Sequence, residues 1–232
     1  MMNLRFGRRT ALLAVAALAV VSLPFVSAFA EDPKPAAPPP PEEKKEPQLP
    51  KAPEFKLKDL DGKERTLAEF KDKWVVLEWT NYECPFVKKH YVPGLMQALQ
   101  TKYTAKGVVW LSICSSAEGK QGSMAPEAWK KAMADWKSAP TAVLLDADGA
   151  TGQAYGAKTT PDMRVINGKG EIVYSGAIDD DPSIKGDPAK ATCYVAQVLD
   201  AVLEGKAPPV TSTKPYGCSV KFAASTPPPA TK

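Results

Sequence analysis

The amino-acid sequence predicts an α/β fold, a three-layer sandwich with a central mixed β-sheet flanked by helices. Three observations carry that prediction. Short apolar runs, Trp74-Val75-Val76-Leu77-Glu78-Trp79 and Gly107-Val108-Val109-Trp110-Leu111-Ser112-Ile113, alternate with longer stretches at helical spacing, as in strand-helix units that feed a sheet. Asp61-Gly62 and Asn167-Gly168-Lys169-Gly170 are turn signals between extended segments, which adds antiparallel hairpins. A last helical stretch follows the second hairpin and supplies a further covering element.

Residues 1–30 carry a basic start (Arg5, Arg8, Arg9), an apolar run from Ala11 to Val21 and Ala28-Phe29-Ala30 before Glu31, the pattern of a cleaved export signal. The apolar run is shorter than the about 20 residues that span a bilayer, so no stable membrane insertion is expected once it is removed. Gly7-Arg8-Arg9-Thr10 is a partial twin-arginine address, and general secretion accounts for it equally well. A periplasmic or secreted protein is expected. Residues 31–53 hold prolines among Lys and Glu, a composition that favours an extended spacer over a core. Residues 54–206 then suit one domain, and residues 207–232 form a tail carrying Cys218. The formal charge falls by three, from +4 to +1, when the three arginines leave with the signal. That balance does not suggest nucleic acid.

Within the domain, residues 55–57 and 65–67 flank the Asp61-Gly62 turn, and the strand through Trp79 follows. A helix is predicted from Pro85 to about Tyr103, kinked at Pro93. After the strand ending at Ile113, Ala128, Trp129, Ala132, Met133 and Trp136 recur at helical spacing and read as core. A strand over 141–145, a short helix to Tyr155, strands over 163–166 and 171–174, and a helix from about Pro188 to Leu203 complete the order.

Cys84 sits where the buried strand hands over to the helix, with Pro85 suited to the first helical position. The unpaired N–H groups of a helix start favour thiolate over thiol, which makes Cys84 a candidate nucleophile. His90, the one histidine in the chain, ranks second to the helix terminus as an activating group. With Lys88 and Lys89 it is expected to face mostly solvent.

The Trp79 strand, Cys84-Pro85-Phe86-Val87-Lys88 and Tyr155-Gly156-Ala157-Lys158-Thr159-Thr160-Pro161 together resemble the thioredoxin superfamily, most closely its exported redoxin or alkyl-hydroperoxide-reductase/thiol-specific-antioxidant domains. The resemblance covers about residues 54–205, and the ending Tyr216-Gly217-Cys218-Ser219-Val220-Lys221 is similar to tails on some such proteins. It implies a thioredoxin-like sandwich, Cys84 as nucleophile, and Pro161 as a cis-proline whose loop faces it. Thr160 then offers its backbone to an extended substrate. Glu78 matches a buried carboxylate that accepts a proton as a mixed disulfide resolves, its proton affinity raised by desolvation. A Glu paired with lysine at the strand edge is the plainer alternative.

Two departures bear on the reaction. Val87 stands where a dithiol pattern places a second cysteine. Asn81 replaces the Thr or Ser that peroxiredoxins carry three residues before theirs, and Pro161 falls where their peroxide-binding arginine would be, with Arg164 nearby. Both thiol-disulfide exchange and peroxide reduction stay open. The topology implied by the resemblance favours Cys114 with Cys193 as a structural bridge and Cys218, on a mobile tail, as resolving partner for Cys84. Buried free thiols at 114 and 193 are the alternative. Expected partners are thiol or disulfide proteins, with peroxide as a further substrate, and no cofactor is expected. Two other classes remain: a redox-inactive peptide-binding module, and copper handling by Cys84, His90, Cys218 and Met96.

Overall fold

A computed structural model describes residues 48–223. The expected export signal and most of the spacer lie outside the described residues. Strands β1 (Lys56–Asp59), β2 (Glu64–Thr66), β3 (Val75–Trp79), β4 (Val109–Cys114), β5 (Ala142–Leu145), β7 (Asp162–Ile166) and β8 (Ile172–Gly176) form one sheet in the order β2-β1-β5-β4-β3-β7-β8. β3 runs parallel to β4 and β4 to β5, while the remaining neighbours are antiparallel. The sheet is therefore mixed, as expected. A second, two-stranded ladder joins β6 (Thr159–Thr160) to β9 (Cys218–Ser219).

The central strands β3, β4 and β7 are buried along their whole length, and their alternating side chains feed two cores. Val76, Trp110 and Val165 pack with Cys84 and residues of α1 (Pro85–Tyr91), α2 (Leu95–Thr104) and α5 (Tyr194–Leu203). Val75, Leu77, Trp79, Leu111 and Ile166 point the other way, onto Phe55, Tyr155 and the 3-10 turn Leu67–Phe70. Full burial of one such aliphatic side chain contributes about 1.5–3 kcal/mol. α3 (Pro126–Trp136) adds Trp129 to a third cluster, and α4 (Ala150–Ala154) precedes Tyr155.

Four sequence expectations change. The helix after Cys84 is two helices, not one bent one, because Gly94 at φ 86° restarts the chain after Pro93, a left-handed conformation that glycine adopts freely. α5 begins at Tyr194 and not near Pro188. Asp180, Asp181 and Asp187 side chains accept the Thr192, Ser183 and Ala189 amides at 2.8, 2.9 and 3.1 Å, and such local bonds compete with helix. Residues 50–53, assigned to the spacer, run beside the second hairpin. The Ile172 amide donates to Pro50 O at 2.8 Å and Ala52 N to Gly170 O at 2.9 Å, since proline lacks a donor but keeps its carbonyl. Finally, the tail through residue 223 is docked. Ser175 N donates to Thr211 O and Thr213 N to Ser175 O, both at 3.1 Å.

Candidate active site at the start of the first helix

A tight turn delivers Cys84 to the end of β3. Cys84 N donates to Asn81 O at 3.0 Å, and the Asn81 side chain accepts Glu83 N at 2.9 Å. Cys84 is the extended N-cap of α1 and Pro85 the first helical residue, the arrangement read from the sequence. Its sulfur is fully buried and donates to Thr160 O at 3.1 Å. The Thr160-Pro161 bond is cis. The structure thus brings Cys84, Thr160 and Pro161 together.

Cys218 joins them. β9 pairs with β6 so that Cys218 lies opposite Thr160, and Val220 N extends the ladder to Lys158 O at 3.1 Å. Cys218 and Tyr216 pack against the cluster that contains Cys84. Burial pushes the Cys218 thiol up to about 11, and the adjacent Cys84 sulfur pushes the same way. A thiol raised by burial and a neighbouring sulfur stays protonated at neutral pH. Gly217 makes the approach possible: at φ +139° a Cβ there would lie 2.1 Å from Thr160 O.

The basic residues of α1 differ from expectation. Lys88 is exposed, but Lys89 and His90 are buried and turned toward the loop after β8. Lys89 Nζ donates to Asp181 O at 2.5 Å and pairs with its carboxylate at 3.2 Å. His90 Nε2 meets Asp179 Oδ2 and Nδ1 meets Phe86 O, each at 2.9 Å. Both ring nitrogens are therefore engaged. The Tyr216 hydroxyl donates to the other Asp179 oxygen. Burial alone would raise the Asp179 carboxyl, yet the bonds from His90 and Tyr216 outweigh it and hold the group below the usual range. The sequence holds no sign of a role for Asp179 beyond the Asp179-Asp180-Asp181 run, and it singles out Tyr216 and Gly217 only as part of the tail motif around Cys218.

Glu78 is fully buried on the Cys84 side of β3. Tyr91 Oη donates to it at 2.8 Å, Trp110 Nε1 at 2.9 Å, Ser112 Oγ at 3.1 Å and Gln100 Nε2 at 3.3 Å. Desolvation outweighs these four bonds and raises its pKa. Its contacts are to this donor set, not to a lysine at the strand edge. Arg164 lies on the opposite face of the sheet, over the Trp79 ring at 5.5 Å, and bonds Asp162, Met163 O and Tyr155 O. Asn81 spends its amide on Gln121 O at 3.1 Å. Neither side chain reaches the Cys84 sulfur.

The sequence profile of the Redoxin family matches residues 49–192. The chain belongs to the redoxin family. Its fold is thioredoxin-like, and the family is generally related to thiol-disulfide oxidoreductases. An uncharacterized conserved protein from Geobacillus kaustophilus is 30% identical with a TM-score of 0.66, the match covering 78% of this chain and 94% of that one. A hypothetical protein from Sinorhizobium meliloti 1021 is 26% identical with the same TM-score of 0.66, over 77% and 97% of the two chains. A search of curated proteins finds no match.

In this redoxin the remaining cysteines do not form the expected bridge. Cys114 packs with Trp129 and Val143 beside α3, whereas Cys193 caps α5 against the Cys84 core, and both are free thiols. Burial raises both, Cys193 to about 11. The two positions feed different clusters, Cys114 buried and Cys193 partly buried, so separate free thiols stand in place of the bridge. The copper set is also not assembled, because both His90 nitrogens are already engaged and Met96 is enclosed in the core.

Proposed function

We propose that this redoxin is an exported thiol-disulfide oxidoreductase that uses Cys84 as nucleophile and Cys218 as resolving thiol. The observation that supports this most is the register that places Cys218 opposite Thr160 while the Cys84 thiol bonds the carbonyl of that same residue. The Cys84 thiolate attacks one sulfur of a partner disulfide. A bond forms to that sulfur, the partner disulfide breaks, and its other sulfur leaves as thiolate and takes a proton. Cys218, deprotonated, then attacks Cys84 Sγ and releases the first partner sulfur as thiol. The partner gains two electrons and two protons, and the protein ends with a Cys84–Cys218 disulfide. Glu78, buried beside the Cys84 core with its proton affinity raised, is the proposed acceptor for the Cys218 proton,. Thr160 and Pro161 form the wall against which the partner strand lies. Residues 1–30 direct the chain out of the cytoplasm and residues 31–49 act as spacer.

Disulfide exchange is favoured over peroxide reduction because Arg164 turns to the far face of the sheet. Purified protein is tested against an insulin-type disulfide, hydrogen peroxide and an alkyl peroxide. Disulfide reduction that disappears in Cys84→Ser and stalls as a mixed disulfide in Cys218→Ser supports the reading. Undiminished activity in Cys84→Ser overturns it.

A further inference from the structure

The proposed chemistry needs Cys84 to meet a partner, yet its sulfur has no exposure. The chain's own tail lies against it, with Cys218 beside the Cys84 sulfur. Cys218 pairs with Thr160 in an antiparallel ladder, with Ser219 opposite Thr159. Backbone pairing of this kind is how an extended peptide adds to a free strand edge. Gly217 lets the tail lie against the Thr160 carbonyl, where any Cβ would clash at 2.1 Å. Tyr216 anchors the preceding turn. Its ring meets Phe86 edge-on at 5.9 Å, Lys89 lies 5.5 Å from its centroid, and its hydroxyl bonds Asp179.

We propose that the segment Tyr216-Gly217-Cys218-Ser219 is an internal stand-in for the protein partner. It closes the site until an extended, disulfide-bearing polypeptide displaces it and takes the same register, and Cys218 resolves the mixed disulfide as the segment re-pairs with Thr160 and displaces the partner. Such a partner presents its cysteine opposite Thr160, a residue without a bulky Cβ contact just before it, and an aromatic side chain at the Tyr216 position. The inference rests on the exchange reading for its substrate class, but the closure itself does not.

The test uses the reduced full chain and follows alkylation of Cys84 by iodoacetamide, read by peptide mass spectrometry. Gly217→Ala forces the tail off Thr160, so Cys84 labels at least about tenfold faster than in the parent. Tyr216→Phe, which leaves the backbone conformation alone, labels about fivefold faster, the effect expected for one lost partly buried hydrogen bond. A peptide copying residues 214–221, with serine in place of Cys218, slows labelling of Gly217→Ala. The same peptide with alanine in place of Gly217 does not. If both variants are folded by circular dichroism and label at the parent rate, the closure is wrong. If Gly217→Ala does not fold, Tyr216→Phe alone decides by the same criterion. Fast labelling without any disulfide exchange leaves the closure standing and removes the exchange reading.

Discussion

Replacing Glu78 by Gln probes the buried carboxylate directly. Three donors, from Gln100, Trp110 and Ser112, converge on Oε2, and the Tyr91 hydroxyl donates to Oε1. A glutamine keeps an oxygen for the three donors but turns an NH2 toward Tyr91, which already accepts from Gln100 at 2.9 Å. One hydrogen bond is lost, a penalty of about 1 kcal/mol where Glu78 is neutral. The pH dependence follows from linkage. Because the folded pKa is raised above the ordinary 4.5, the contribution of Glu78 to stability is fully present below 4.5 and is lost as pH rises through the folded value. Each unit of that rise is worth about 1.4 kcal/mol. Glutamine carries no such dependence. Urea unfolding of both proteins between pH 4.5 and 8 therefore gives a wild-type advantage that shrinks, and can reverse, as pH rises. An advantage that grows with pH would show that the folded state prefers the carboxylate, and would remove Glu78 as a proton acceptor.

Asp179→Ala leaves the Tyr216 hydroxyl, His90 Nε2 and the Asp181 amide without their acceptor. Urea unfolding at neutral pH is expected to show a loss of about 3–5 kcal/mol, the range for removing one partner of a buried pair. The Asp179 pKa is held low, so its contribution is present above 3.8 and the gap narrows as pH falls through the folded value,. Arg164→Lys cannot hold Asp162, Met163 O and Tyr155 O at once, and it lowers stability by about 1–3 kcal/mol in thermal or urea unfolding. Any residual peroxide consumption by Cys84 should be unchanged in that variant, and a drop would restore the arginine to the site.

The local grammar of the fold was legible in the sequence. Asp61-Gly62 marked the first hairpin, the apolar runs marked β3 and β4, and Cys84-Pro85 marked the start of α1, because each is decided by residues within a few positions. What was not legible depends on distant partners. Lys89 and His90 looked like solvent-facing charges until Asp181 and Asp179, some 90 positions away, were brought against them. Cys114 and Cys193 fall in different clusters, one beside α3 at the end of β4 and the other at the start of α5, a matter of packing that spacing does not encode. The tail was expected to be mobile. Its docking comes from backbone pairing and from Tyr216 and Phe222, which pack against Phe86 and against Gly149 and Gly152.

The pairing of Cys84 with Cys218 carries the whole reaction scheme. Reduced protein treated with a small disulfide at neutral pH, alkylated and mapped without reduction, should yield one cross-linked pair of peptides containing these two residues, with Cys114 and Cys193 alkylated. Cys84 recovered alone, or Cys218 joined to a different cysteine, would contradict the scheme.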